Sequence, residues 1–260
     1  MNFSGIVSLS SPASKYVDQF FHTVRSYSTT FVLILIFPAT LVAYGDYKAW
    51  YALGAGGGPH NILGWSIQAL LRPFCSRDVR STSCYQNALL TEESANFLED
   101  VDVPAREGPA PKTGLWTFPH RLVEDTATDM LKNSLREILN RLSTSNPTLL
   151  AFGKSTIEGG CPALFLVSPT MPKHCSFPGA PRELVHTHCT DGSSHALLSP
   201  ADAKLVIERG WGERHGLSGK FGVPINYVMI FAPRSVGEVV VVERIARAAV
   251  RYGLDGKEIL

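Results

Sequence analysis

The chain has 260 residues, enough for one large domain with an extension. Hydrophobic residues make up 45% and charged residues 18%, so a buried core can form. With 24 Lys and Arg against 23 Asp and Glu, the net charge of +1 gives no electrostatic footprint for nucleic acid or a strongly acidic partner.

Residues 1–25 read as an N-terminal tail. Residues 26–45, SYSTTFVLILIFPATLVAYG, carry no charge between Arg25 and Asp46. At about 1.5 Å per residue such a helix reaches about 30 Å, the thickness of a bilayer core. Pro38 is tolerated in membrane helices. Tyr27, Tyr44, Tyr47 and Trp50 stand near the two ends, where an aromatic belt belongs. A single-pass transmembrane anchor is expected, with a cleaved signal peptide as the main rival. A core helix fits less well, because the run is apolar on all faces.

The charge bias that would orient the anchor is small: Lys15 and Arg25 precede it and Lys48 follows. Five cysteines, Cys75, Cys84, Cys161, Cys175 and Cys189, are odd in number and contain no CxxC. Free thiols in a reducing compartment are expected, and with them a cytosolic C-terminal domain.

Residues 46–88 read as a linker. GAGGGP at 54–59 is a flexible break. NILGWSIQALLRPF at 61–74 is too short to span a bilayer. It either lies in the membrane interface, with Trp65 and Arg72 as anchors, or packs on the soluble domain.

Residues 89–260 form that domain. A short helix is expected from Thr91 to Leu98, with Thr91 as its cap. Residues 103–114 are loop. Arg121 to Leu142 carries a helical stripe of Val123, Ala127, Met130, Leu131, Leu135, Ile138 and Leu142. From Thr148 the period shifts toward two. Strands are expected at 163–169, 182–188, 193–199 and 227–234, with Asp191-Gly192 as a hairpin turn. Ser199, Pro200 and Asp202 open a helix that buries Ala203, Val206 and Ile207 and stops at Gly210. Ser235 and Glu238 open the last helix, which runs to about Gly253. The fold class is therefore α+β, a mostly antiparallel sheet with packed helices.

The chemistry concentrates between Arg182 and His215, where four of the eight histidines fall. His186 and His188 are two apart in a strand and share a face. His195 lies just beyond the turn. Such a cluster suits base chemistry near pH 7 or a metal. A metal-free site is expected, because no carboxylate stands at an obvious ligand position and Glu183 should face the other side of the strand. Gly210-Trp211-Gly212-Glu213-Arg214-His215 follows the capped helix. Gly212 lets the backbone pass close to something, Trp211 offers a stacking wall, and Arg214 is a fixed cation. Arg106, His120 and Arg121 could add charge from the loop before the first domain helix. No GxSxG, Walker loop, GxGxxG or HExxH occurs.

At these residues the chain resembles the fungal luciferase family. The carrying segments are Glu183-Leu-Val-His-Thr-His188, His195, Glu208-Arg-Gly-Trp-Gly-Glu-Arg-His-Gly-Leu217, Phe231-Ala-Pro-Arg234 and the final helix. Weaker similarity reaches Ala105-Arg-Glu-Gly108 and the stretch from Leu90. The resemblance implies a membrane-anchored oxygenase that uses O2 on a small hydroxylated pyrone or phenolic such as 3-hydroxyhispidin. It implies no flavin or nucleotide cofactor. His186, His188, His195, His215 and Arg214 are the implied catalytic residues, with Trp211, Arg106, His120 and Arg121 binding substrate. The hairpin Cys189-Thr-Asp-Gly-Ser-Ser194 is a residue shorter than in luminous members, and Gly216 stands where Pro is usual. A non-luminous member is therefore expected, with a catalytically silent binding module as the alternative.

Overall fold

The structure is a computed structural model that describes residues 12–86, 95–167, 180 and 182–260. The chain divides into two compact units, Met1–Ala49 and Trp50–Leu260.

Helix α1, Pro12–Ala52, is 41 residues long and continues through Pro38. Along its apolar run Leu33, Ile34, Ile36, Phe37 and Leu41 are exposed, whereas Trp50 near its end is buried. The helix is long and apolar enough to cross a membrane, a test that signal sequences also pass.

In the second unit, helix α2 (Ile62–Leu71) starts at Asn61, whose side chain accepts from Leu63 N and Gly64 N. It packs through Gly64 and Gln68. Thr117 Oγ1 donates to the Gln68 carbonyl over 2.9 Å. Ile62, Leu63, Leu70 and Phe74 remain exposed.

A six-stranded, wholly antiparallel sheet organises the rest. Its strands are β1 (Leu150–Lys154), β2 (Pro162–Leu166), β3 (Glu183–Thr187), β4 (Ser194–Leu197), β5 (Gly212–Arg214) and β6 (Tyr227–Ile230). The spatial order is β1-β2-β3-β4-β6-β5. Helix α3 (Asp129–Ser145) packs on β1, β2 and β3, and α5 (Val236–Gly253) on β3, β4 and α3. Between them and the sheet lies the main core, with Leu135, Ile138, Leu142, Val185, Ala196, Ile230 and Ile245. Helix α4 (Pro200–Glu208) is capped by Ser199 and ends before Gly210, which adopts φ +80°. Ser235 caps α5 by accepting from Glu238 N.

Several expectations change. The helix expected over 121–142 begins only at Asp129, with Thr128 as its cap. Upstream, the backbone is committed elsewhere. Leu122 bridges Thr113, Leu122 N donates to Asp191 Oδ2, and Ala127 N donates to the Asp191 carbonyl. Val123 and Met130, read as part of the stripe, are exposed.

The helix expected at Thr91–Leu98 lies in part outside the described residues, and 95–98 are irregular. There the amides of Phe97 and Leu98 donate to the Asp202 carboxylate rather than to helical carbonyls. Asp202 thus does more than cap its own helix. The expected strands shorten to β2, β3, β4 and β6, with residues 168 and 169 outside the described range, and β1 and β5 are added strands.

The thiol expectation is overturned for one pair. Cys161 and Cys189 form a disulfide, with Cα atoms 5.6 Å apart. Adjacent antiparallel β2 and β3 bring these distant positions together. Cys75 and Cys84 are free, and Cys175 lies outside the described residues.

The glycine run at 54–59 is no slack linker. Gly57 N donates to the Ile157 carbonyl over 2.7 Å. A Cβ on Gly57 or Gly58 would lie 2.6 Å from the Phe118 side chain, and one on Gly56 would meet Glu158 and Arg121. Glycine allows this close approach of backbone to buried side chains.

Candidate functional site

The sheet register places a row of side chains on one face. His186 pairs with His195, His195 with Met229, and Met229 with Glu213. Directly opposite residues in antiparallel strands share a face. The alternate residues Val185, Thr187, Ser194, Ala196 and Ile230 face the helices instead, where they line an apolar cavity with Ile138. That cavity is on the opposite side of the sheet from the histidines.

His186, His188 and His195 are 1%, 0% and 2% exposed. His188 Nε2 lies 3.0 Å from His195 Nδ1, and His186 Nε2 lies 3.3 Å from the same atom. His120 joins from the covering loop, with its Nδ1 3.2 Å from His195 Nε2. The His215 ring stands edge-on to His120, with centroids 5.2 Å apart. Tyr227 stacks on His195 at 4.7 Å. The structure therefore brings together His120, His186, His188, His195 and His215.

Carboxylates surround this group, contrary to the sequence expectation. Between β2 and β3 the register steps from Leu164↔Val185 to Phe165↔Glu183, so Leu184 is an extra residue on β3. Such a bulge breaks the period of two. Leu184 and Val185 both join the core, and Glu183 turns to the histidine side. Its Oε1 is 2.6 Å from His186 Nδ1.

Glu158, from the turn between β1 and β2, lies 4.0 Å from His186 Nε2 and 3.9 Å from His188 Nε2. Arg121, 1% exposed, donates to Glu158 Oε2 over 2.6 Å, to the Ala55 carbonyl and to Thr190 Oγ1. Glu213 Oε1 is 3.2 Å from His120 Nε2. The sequence carried no periodic signal for Glu158, and Asp191 was legible only as a turn residue.

These partners assign the tautomers. Burial alone would raise the Glu183 carboxyl, but bonding and charge from His186, with Ser155 and Thr156, hold it below its ordinary range. It is a carboxylate, so His186 Nδ1 carries the proton.

Burial likewise opposes ionisation of Asp191, yet hydrogen bonds from His188, Ser193 and Leu122 N bring it down to about 2. Burial keeps His188 below its usual range and neutral, so its hydrogen bond matters here more than its charge. Ser193 Oγ donates to Asp191 Oδ2 over 2.7 Å and must accept from His188 Nδ1, 2.8 Å away.

Burial alone would raise the Glu213 carboxyl, but the bond and charge of His120, with Thr113 and Arg80, together hold it below its ordinary range. With a neutral His120 that donates from Nε2 to Glu213, Nδ1 accepts and His195 donates to it from Nε2. On that assignment His186 Nε2, His188 Nε2 and His195 Nδ1 are left, and these three nitrogens converge on one another.

Burial, then the neighbouring histidines, hold His195 well below the usual imidazole range. Burial and His120 bring His215 to about 3. Its Nδ1 accepts from Leu217 N over 3.1 Å, which turns its lone pair away from the other rings. Burial pushes the Tyr227 phenol well above its usual value, so it stays neutral.

Other expected residues lie elsewhere. Arg214 pairs with Val228 on the helix-facing side of the sheet, and it donates to the carbonyls of Ser81 and Asp78. Trp211 is 3% exposed and donates from Nε1 to the Pro104 carbonyl. Arg106 lies over its ring at 5.3 Å and pairs with Glu238 at 2.8 Å. Trp211 and Arg106 form a packing joint near the start of α5. Gly212 does serve a close approach, since a Cβ there would collide with the Met229 carbonyl across β6.

The family model of the Luciferase domain matches residues 181–249, which hold three of these histidines and His215. The chain is 29% identical to a luciferase of Armillaria mellea over 221 residues, 80% of each chain. It is 28% identical to one of Armillaria ostoyae, again over 80% of each. To a luciferase of Neonothopanus nambi it is 25% identical, over 80% of this chain and 79% of that one. No solved structure matches. The segments that carry the resemblance in the sequence fall on β3, β4, the end of α4, β5, the stretch just after β6 and α5, and over most of its length the chain is similar to fungal luciferases.

Proposed function

We propose that this luciferase-like protein is a membrane-anchored oxygenase that uses O2 on a small hydroxylated pyrone or phenolic of the 3-hydroxyhispidin type. It would need no flavin or nucleotide. The observation that supports this reading most is the closed histidine cluster within the matched Luciferase domain. Oxidising an electron-rich enolate calls for a basic site, a polar surround fixed in advance and exclusion of water. The buried imidazoles and their carboxylates supply the fixed polar surround, and Tyr227 adds an aromatic wall.

The test is purified protein with 3-hydroxyhispidin in air, recording oxygen uptake and light together. Oxygen uptake with substrate loss supports the reading, with or without light. Substrate binding without consumption of either reactant refutes it and leaves the silent binding module.

Helix α1 is the proposed anchor, and the exposed Ile62, Leu63, Leu70 and Phe74 suit an interfacial position for α2. The disulfide removes the thiol argument for a cytosolic domain and favours an oxidising compartment. Lys15 and Arg25 ahead of the apolar run, against Lys48 after it, agree with that orientation. Sedimentation with membranes after carbonate extraction checks the anchor. Release of the protein refutes it.

A further inference from the structure

We infer that Glu158, His186, His188 and His195 form a binding site for one divalent first-row transition metal ion. The reasoning is independent of the oxygenase reading and rests on which ring nitrogens have outer partners and which converge on one point.

Each of these histidines spends its outer nitrogen on a partner. His186 Nδ1 is 2.6 Å from Glu183, His188 Nδ1 is 2.8 Å from Ser193, and His195 Nε2 is 3.2 Å from His120. Behind Ser193 stands Asp191, and behind His120 stands Glu213. Every outer nitrogen thus ends, directly or through one group, on a carboxylate. That is the arrangement by which metal-binding imidazoles are held in one tautomer and made more basic.

The inner nitrogens converge. His195 Nδ1 faces His188 Nε2 at 3.0 Å and His186 Nε2 at 3.3 Å. Ligand atoms bonded to one ion at about 2.1 Å lie about 3.0–3.4 Å apart in octahedral or tetrahedral geometry, so the nitrogens are already spaced for it.

The fourth donor is Glu158. One ligand atom from each of the four residues can be chosen so that all lie within 4.8 Å of one another. Arg121 grips Glu158 Oε2 and leaves Oε1 facing His186. All four residues are at most 4% exposed. Three imidazoles and one carboxylate suit zinc, iron, copper or nickel, whereas calcium and magnesium prefer oxygen. The histidines sit on strands β3 and β4, which gives the site rigid support. Glu183, displaced by the β3 bulge, and Glu158, from a turn, are the carboxylates absent from the sequence pattern.

Full-length protein without a polyhistidine tag is stripped with a chelator and loaded with Zn2+ or Co2+. Retention of about one ion per chain through gel filtration, with a raised Tm, is expected. Zinc-edge X-ray absorption should show three imidazole ligands. Glu183→Gln keeps the ligand set and should weaken the metal on the order of 10–100-fold. His188→Ala should abolish retention, while His22→Ala and His60→Ala should leave it unchanged.

Retention by wild-type protein below roughly a tenth of an ion per chain overturns the inference. So does bound zinc with fewer than three imidazoles, or equal retention by a folded His188→Ala. If His188→Ala fails to fold, the wild-type absorption spectrum and the Glu183→Gln affinity decide. Because no turnover is measured, failure here leaves the oxygenase reading standing, and failure of that reading leaves the metal site standing.

Discussion

Glu213→Gln tests the tautomer chain that orders the cluster. Glu213 is 1% exposed, and its Oε1 receives the His120 Nε2 proton at 3.2 Å. Arg80 also reaches Glu213, at 3.1 Å, but its side chain is 46% exposed and the pair contributes little. The buried bond to a charged acceptor is the larger effect, about 1.5–3 kcal/mol. Gln keeps one oxygen in place but loses the charge that favours the proton on Nε2.

A bias of that size corresponds to a tautomer ratio on the order of 10–100 in the parent protein. In the variant, His120 should become a mixture, and His195, which donates to it, should lose its preference for the proton on Nε2. Nitrogen NMR of 15N-histidine-labelled, metal-free protein at neutral pH reads both rings directly. The parent should show His195 protonated at Nε2 and bare at Nδ1. A parent protonated at His195 Nδ1, or a variant with unchanged populations, refutes the proton assignment.

Asp202 carries a pH dependence of its own. Burial lifts its carboxyl from 3.8 to about 6, so the folded state holds the proton more tightly. Stability contributed at this position should fall by on the order of 3 kcal/mol as pH rises from about 4 to about 6, and level off above. Asp202→Asn should remove that slope in the difference between parent and variant denaturation profiles, and identical slopes would count against it. The Cys161–Cys189 bridge closes a separation of 28 residues, and its reduction should cost about 3–4 kcal/mol by chain entropy. Peptide mapping after alkylation should find these two cysteines protected, and modification of both in unreduced protein would disprove the pairing. Gly57→Ala must adopt φ +71° and press on Phe118, so it should lower stability by at least about 1–2 kcal/mol in thermal unfolding.

The sequence was most readable where local rules operate alone. Period two placed His186 and His188 on one face, and the Asp191-Gly192 turn brought His195 opposite His186. Ser199 and Ser235 marked helix starts because their hydroxyls accept from amides three residues on. The start of α3 was misplaced because Ala127, apolar in the right rhythm, and Leu122 nearby bond to Asp191 about 65 residues away. The short strand β5 was hidden because three residues cannot show a period. Arg214 was separated from the histidines by the same alternation that gathered them, since its neighbour Glu213 took the inner face.

The carboxylates were illegible for a different reason. Glu183 reaches His186 only because one extra residue in β3 reverses the side-chain alternation, and that bulge is a property of the pairing with β2, not of β3 alone. Glu158 arrives from a turn whose position depends on Arg121, Gly56 and Ala55. The glycine run thus belongs to the site as its cover. Gly56, Gly57 and Gly58 close over Arg121, Glu158 and Phe118, and Trp50 Nε1 bonds the Phe118 carbonyl at 2.7 Å. A ring system as large as a styryl-pyrone has no room among groups that are at most 9% exposed. If the protein turns over such a substrate, the cover made by residues 54–58 and 117–121 must move. Gly57→Ala then separates two effects that would otherwise be confounded. A cover that only stabilises the fold would lower Tm and leave KM unchanged, whereas a cover that gates entry would change KM in the same variant at temperatures where it remains folded.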